Sequence, residues 1–343
     1  MDLLPTNEQD EIVDMVSSYL GSELPGTRQR ALWSASKSWD DGVWKKCAEL
    51  GWFGLGLPEK HGGVGLSLTE EALLFREVGR QLAPGPLIST VLGARVALGA
   101  GNAELSGRII AGEVVVGLAQ RRTHDAVVGQ SVSGSFNLID AVGAEYVLAV
   151  TAAGAAMIRT ETLRDTQKLP CIDPGVRLGM VDVDGLAAEA FVSEAEDPIF
   201  LRGTVLAAAM AAGISQSTLS MAIEHAKTRI QFGKPIGVNQ GIKHKCADMA
   251  LRADAANWQA MFAAIALRDG RADAEFQTTA AKVVAIEGAV RNSRDCIHIH
   301  GGLGYTREHD SHRFMKRAQV LNQYFGVMSE HLDRMLDLSP LQD

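Results

Sequence analysis

The sequence predicts an α+β protein whose strands are confined to its middle: an N-terminal α-helical domain, a small middle β-domain and a C-terminal four-helix bundle. Three regimes of composition carry this reading. Residues 1 to about 115 form helical segments joined by Gly/Pro turns, and apolar runs shorten and alternate from about 114 to 195. Beyond about 198, apolar residues recur every three or four positions over long stretches. The boundaries that follow are 1–115, 116–195 and 196–343.

A length of 343 residues suits two or three domains of roughly 150 residues each. The hydrophobic share is 46% but aromatic residues supply only 6%, so the core is aliphatic and alanine-rich, as closely packed helices require. A formal charge of −8 argues against nucleic acid or an anionic membrane as the main partner, since both select basic surfaces. Cys47, Cys171, Cys246 and Cys296 show no CxxC spacing and read as reduced, small apolar residues. The start, MDLLPTNEQDEIVDM, is acidic and lacks an apolar core, so a cytoplasmic protein is expected. Gly203 to Ile223 is uncharged over 21 residues, yet Thr204, Ser215, Gln216, Ser217, Thr218 and Ser220 favour a buried bundle helix over a membrane span.

Taken in order, Asp41–Leu50 sets Trp44, Cys47 and Leu50 on one helical face, and Thr69 opens a helix to Leu82 with Glu70 and Glu71 in its first turn. Between them GLPEKHGGVGLS (56–67) reads as an irregular, glycine-rich loop. The strand candidates are Val114–Ala119, Ala126–Val128, Tyr146–Val150, Ala155–Ile158 and Arg177–Val183, tightly connected and antiparallel by spacing and turn content. Between Gly241 and Gly270, Ile242, Cys246, Met249, Ala253, Ala256, Ala260, Ala263 and Leu267 alternate spacings of four and three, the narrow seam of a bundle helix. Further helices are expected over 203–229, from Ala274 to about His298, and after Asp310.

The common nucleotide and hydrolase signatures are missing. No GxGxxG follows a strand, Gly233–Lys234 lacks the upstream glycine of a P-loop, and neither HExxH nor GxSxG occurs. His298, His300, His309 and His312 are the densest histidine group, but GGLGY separates the two pairs and no cysteine spacing supports a metal, which leaves packing and hydrogen bonding. Two segments are more informative together. In RIQFGKPIGVNQGIKHKCADMA (229–250) a helix ends, turns at Gly-Lys-Pro and restarts; in IHIHGGLGYTREHDSHRFMKRA (297–318) a helix stops at a double glycine. Gly301 and Gly302 let a flat or anionic ligand approach the main chain, and an arginine beside such a turn can hold a phosphate.

Over nearly its whole length the chain resembles the acyl-CoA dehydrogenase family. RIQFGKP is similar to the family's R-x-x-F-G-x-P turn, HIHGGLGYTREHDSHRFMKRA to its Q-x-x-G-G-x-G-Y/F segment, and ELGWFGLGLPEKHGGVGLS with REVGRQLAPGP to its N-terminal helical domain. The resemblance implies FAD, a CoA thioester substrate, an electron acceptor such as an electron-transfer flavoprotein, and a carboxylate that removes the α-proton as hydride leaves the β-carbon.

Two departures qualify that expectation. The family's Tyr-Glu-Gly base turn corresponds to Tyr324, Phe325 and Gly326, so Phe325 occupies the glutamate position. The alternative base position, at the start of the first bundle helix, falls on Gly203 between Arg202 and Thr204. The family's Thr-Glu-Pro-x-x-Gly-Ser-Asp loop and Thr-Asn strand are not recognisable in GLAQRRTHDAVVGQSVSG, and the β-domain reads as shortened. What matches is the set that grips the adenosine-diphosphate half of a neighbour's flavin: Arg229, Phe232, Asn239, Gln240, Gly301 and Gly302, with His298 in place of the family's glutamine.

The resemblance therefore implies a partner subunit, completing in trans the FAD site of a homologous chain that carries the base, as in bacterial α2β2 enzymes acting on CoA esters of steroid side chains. TREHDSH and IGVNQGIKHKCADM are similar to those chains. The alternatives are a self-sufficient homotetramer with a displaced base such as Glu308, Asp310 or Glu330, a flavin-free scaffold on the same fold, and a flavin oxidase relative acting on non-CoA substrates.

Overall fold

The computed structural model describes residues 4–338. Its order is helical, then sheet, then helical. The first region holds α1 (Asn7–Glu23), α2 (Gly26–Ala31), α3 (Asp41–Glu49), α4 (Leu68–Arg80), α5 (Leu87–Gly99) and α6 (Ala103–Ile110). The sheet region holds β1 (Val116–Arg121), β2 (Val127–Val128), β3 (Ser131–Ile139), β4 (Tyr146–Thr151), β5 (Gly154–Arg159), β6 (Gln167–Leu169), β7 (Leu178–Ala187) and β8 (Ala190–Ser193). Then come α7 (Ile199–Thr228), a hairpin of β9 (Ile230–Gln231) and β10 (Lys234–Pro235), α8 (Gln240–Arg268), α9 (Ala274–His300), α10 (Ser311–Gln323) and α11 (Met328–Asp337). By contact the chain forms two compact units: Ser22–Glu71 with Pro84–Gly203, and Ala72–Ala83 with the residues before Ser22 and from Thr204 onward.

In the first unit the strands run β6-β7-β3-β1-β4-β5-β8, with β2 against β3. The sheet is mixed, which corrects the purely antiparallel expectation: β1 and β4 pair in parallel, Val116 opposite Tyr146 and Gln120 opposite Val150. The reason is local. β3 lies antiparallel to β1 on one side, and the short turn after β3 brings β4 back on the other side of β1. Asp140 makes that turn at φ 52°, its N–H donating to Arg177 O and its carboxylate accepting from Arg177 N–H, both at 2.7 Å. Val132, Phe136, Leu138, Val147, Ile158 and Val181 fill the core of the sheet.

The loop over 56–67 contains one helical turn, Glu59–His61. α4 begins one residue before Thr69 and is capped by Ser67, whose N–H donates to Glu70 Oε2 at 2.8 Å and whose Oγ accepts from Thr69 N–H at 3.2 Å.

In the second unit the seam of α8 lies inward as its spacing requires, with Met249, Ala253, Ala256, Ala260 and Ala263 buried. Small residues allow the backbones to approach closely. A Cβ on Gly79 in α4 would lie 2.0 Å from Met210 O in α7, and one on Gly213 in α7 would lie 2.0 Å from Arg76 O in α4. α7 is long and apolar enough to cross a membrane, but 78% of its most apolar window is buried within the protein. Cys47, Cys246 and Cys296 are free thiols, and burial pushes the Cys47 and Cys296 thiols up to about 12, as inert apolar residues require.

Candidate cofactor site at the end of the helical bundle

α7 ends at Thr228, and the chain turns back through the β9–β10 hairpin before α8 begins. Lys234 pairs with Gln231 and Pro235 with Ile230, so Phe232 and Gly233 form the two-residue turn, both with positive φ (51° and 75°). Such turns favour Asn or Gly at their first position; an aromatic residue there costs about 1–2 kcal/mol of backbone strain. The strain comes with no packing in return, for Phe232 is fully exposed at 103%. A strained residue that presents a bare aromatic ring is the mark of a contact surface.

Charge collects at the same place. From His225 to Ala247 the chain carries Lys227, Arg229, Lys234, Lys243 and Lys245 and neither Asp nor Glu, in a protein of net charge −8. Asn239 ends the hairpin segment as the residue before α8, but its Nδ2 donates to Ile236 O at 3.0 Å and its side chain does not cap the helix. The N-terminus of α8, opening at the exposed Gln240, thus keeps its positive helix end without a side-chain acceptor.

The second segment reaches this end of the bundle through α9. Ala222 of α7, Met249 of α8, and Cys296 and Ile299 of α9 share one apolar cluster, with Ile236 and Ile242 packed against it. His225, one turn before Arg229, stacks on His300, the last residue of α9, at 4.2 Å between ring centroids. Beyond it Gly301 has φ 62° and ψ −140°, a conformation open to glycine, and a Cβ on Gly301 or Gly302 would meet nothing within 4 Å. His298 is exposed on the final turn. The structure therefore gathers Arg229, Phe232, Asn239, Gln240, His298, Gly301 and Gly302 in one unit, on helix ends held together by a shared core. A basic, donor-rich surface with an open glycine turn and an exposed ring fits the pyrophosphate and flat rings of a dinucleotide.

The two expected base positions are Phe325 and Gly203. Phe325 is buried, with φ 54° in the turn between α10 and α11. That turn is fastened from beneath: Lys282 Nζ donates to Leu321 O and Tyr324 O, and the His331 ring donates through Nε2 to Phe325 O at 2.9 Å. Gly203 is buried in the sheet-containing unit, next to a cluster of charges. There Arg202 Nε lies 2.9 Å from Asp197, Arg95 Nε 2.7 Å from Asp197, and Arg202 3.9 Å from Glu71. Burial pushes the Glu71 carboxyl upward against the pull of Arg95 and Arg202. Arg95 also donates to Gly56 O at 3.1 Å, so the cluster pins the glycine-rich loop. Among the displaced carboxylates, Asp310 is held by Arg313 at 2.9 Å and Glu330 accepts from Val327 N–H at 3.1 Å, while Glu308 is exposed.

Two features carry no signal in sequence. Glu71 reads as an ordinary first-turn acid of a helix, and His225 stands alone in the sequence, so neither the buried charge cluster nor the imidazole stack is foreseeable. Of the four clustered histidines, His300 and His309 come together, with ring centroids 4.3 Å apart and planes tilted by 47°.

Comparison with known proteins assigns the fold to a family. Residues 6–112 match the acyl-CoA dehydrogenase N-terminal domain and residues 199–336 the acyl-CoA dehydrogenase C-terminal domain. The chain belongs to the acyl-CoA dehydrogenase family, FAD-dependent oxidoreductases of CoA thioesters. It is 33% identical to acyl-CoA dehydrogenase FadE34 of Mycobacterium tuberculosis over 87% of its own length, spanning 42% of that protein. It is 28% identical to acyl-CoA dehydrogenase IpdE2 of the same organism, over 97% of this chain and 98% of the relative. Two solved structures share the fold at a TM-score of 0.87: the Tcur3481–Tcur3483 steroid ACAD (23% identity, covering 96% of this chain and 97% of that chain) and the Mycobacterium tuberculosis ChsE4–ChsE5 complex (21%, covering 99% and 100%).

Proposed function

We propose that this chain is the base-lacking subunit of a heteromeric acyl-CoA dehydrogenase that introduces an α,β double bond into a CoA thioester. Its bundle end completes the FAD site of a homologous partner subunit. Arg229, His298 and the main chain at Gly301–Gly302 hold the pyrophosphate, Asn239 and Gln240 donate beside it, and Phe232 packs against the cofactor from across the interface. When bound, FAD would supply the hydride acceptor; the residues of this chain would bind and orient it, and the α-proton would go to a carboxylate of the partner subunit. The observation that carries the reading is Phe232, strained and wholly exposed in one chain.

The outer face of α8 supports an assembly. Leu251 is 72% exposed and Trp258 39%, opposite a seam that is already buried, and a helix apolar on two sides is covered on two sides. The steroid-like segments and the resemblance to a steroid ACAD point to a bulky polycyclic acyl group. Electrons pass to an acceptor such as an electron-transfer flavoprotein, in the cytoplasm, and composition boundaries near residues 115 and 195 separate the three domains.

Co-expression with a homologue carrying the family glutamate, followed by flavin counting, tests this. One FAD per two chains is expected, lost on Arg229→Ala, because a charge-assisted phosphate contact contributes about 1.5–3 kcal/mol. Stoichiometric flavin and acyl-CoA turnover in the chain purified alone would sink the proposal.

A further inference from the structure

α7, α9 and the loop before α10 meet in a stack of three imidazoles. The rings of His225 and His300 lie 4.2 Å apart at 27°, and those of His300 and His309 4.3 Å apart at 47°. His300 is buried with Nδ1 2.8 Å from Cys296 O; a carbonyl only accepts, so Nδ1 is the donor in that bond. In His309 the role of Nδ1 is reversed. Nδ1 accepts from Ser311 N–H at 3.2 Å, while Ser311 Oγ donates to Gly304 O at 3.1 Å. His309, Ser311 and Gly304 thus fasten the loop that starts at Gly301 and Gly302.

The surroundings of His225 disfavour its protonation. Burial first, then His300, His309 and Arg229, hold His225 below the ordinary histidine range. Each of those neighbours is cationic when charged. Cys296 faces His300 with its thiol (Sγ to Nδ1 3.7 Å), and Cys246 of α8 acts in turn on Cys296. Glu308 and Asp310 flank His309 in the chain, and Asp310 is engaged by Arg313.

We propose that the His225–His300–His309 stack is a latch on the Gly301–Asp310 loop, closed while His225 is neutral and opening as His225 takes up a proton. The sign follows from linkage: the open loop binds the proton more tightly, so closure is complete above the ordinary histidine range near 6.5 and is lost below it. Only the consequence, release of the nucleotide gripped at Gly301 and Gly302, rests on the function proposed above. Closure itself belongs to the chain without flavin.

Hydrogen exchange of the full chain without flavin, corrected for the intrinsic pH dependence of exchange, tests it. Between about pH 7.5 and 5.5 the amides of residues 301–310 are expected to lose protection by about tenfold per unit at the steepest point. His225→Phe keeps a ring in the stack without a titrating nitrogen and is expected to flatten that change. Equal protection at both pH values, or an unchanged loss in His225→Phe, overturns the latch. Should that variant not fold, ring titration of His225 in the unaltered chain decides: ordinary behaviour overturns the proposal, and a midpoint below 6.5 supports it. Flavin content that ignores Arg229→Ala would overturn the nucleotide reading while leaving these exchange results intact.

Discussion

The ammonium of Lys282, wholly buried in α9, donates to Leu321 O at 2.7 Å and to Tyr324 O at 2.5 Å. α9 thereby holds the C-terminal end of α10, where the chain enters the turn that carries Phe325. Burial alone draws this ammonium down to about 7, while the two carbonyl acceptors favour its charged form.

Replacing Lys282 by Met would remove both hydrogen bonds that its ammonium donates, to Leu321 O and to Tyr324 O. The expected loss is about 2–3 kcal/mol of stability, read as a lower urea midpoint at unchanged slope. A neutral outcome would mean that the turn is held by His331 alone.

His331 supplies a pH dependence of known sign. Burial first, then the charge of Lys282, lowers it to about 4, so it stays neutral in the folded chain where the unfolded chain is protonated. Its contribution is present above about pH 6.5 and fades as pH falls toward 4, about 3 kcal/mol at most. Stability measured between those pH values is expected to fall more gently in His331→Gln than in the parent.

The α4–α7 crossing depends on glycine. Gly213→Ala places a methyl 2.0 Å from Arg76 O, which only a backbone shift can relieve. Overpacking of this kind costs about 3 kcal/mol, and thermal unfolding should show it. Gly107, where a Cβ would meet nothing within 4 Å, is the control, and Gly107→Ala is expected to leave stability unchanged or slightly higher.

Phe232→Gly separates structure from function. Removing the positive-φ aromatic relieves about 1 kcal/mol of strain, so the isolated chain is expected to be no less stable. FAD retention by the assembled enzyme is expected to fall at the same time. A chain destabilised with flavin content unchanged would assign Phe232 to the fold instead.

Helices were the legible part of this sequence because a spacing of three and four survives even where alanine replaces larger residues, as in α8. Strands were legible where they were apolar: β1, β4, β5 and most of β7. β3 escaped because Ser131, Ser133, Gly134, Ser135 and Asn137 dilute its pattern, although Val132, Phe136, Leu138 and Ile139 are buried. Without that strand the parallel neighbours β1 and β4 could not be inferred. The residues gathered at the bundle end were legible from motifs alone. The exposure of Phe232 was not, because phenylalanine is ordinarily interior.

The reciprocal glycine contact between α4 and α7 bears on how the chain is made. α4 leaves the ribosome long before the segment around Met210 that covers Gly79, so the face of α4 at Arg76 and Gly79 must wait for it. Closing so long a span is slow compared with local helix formation. The nascent chain therefore spends much of its synthesis with this helix unsatisfied, a natural point of engagement for chaperones.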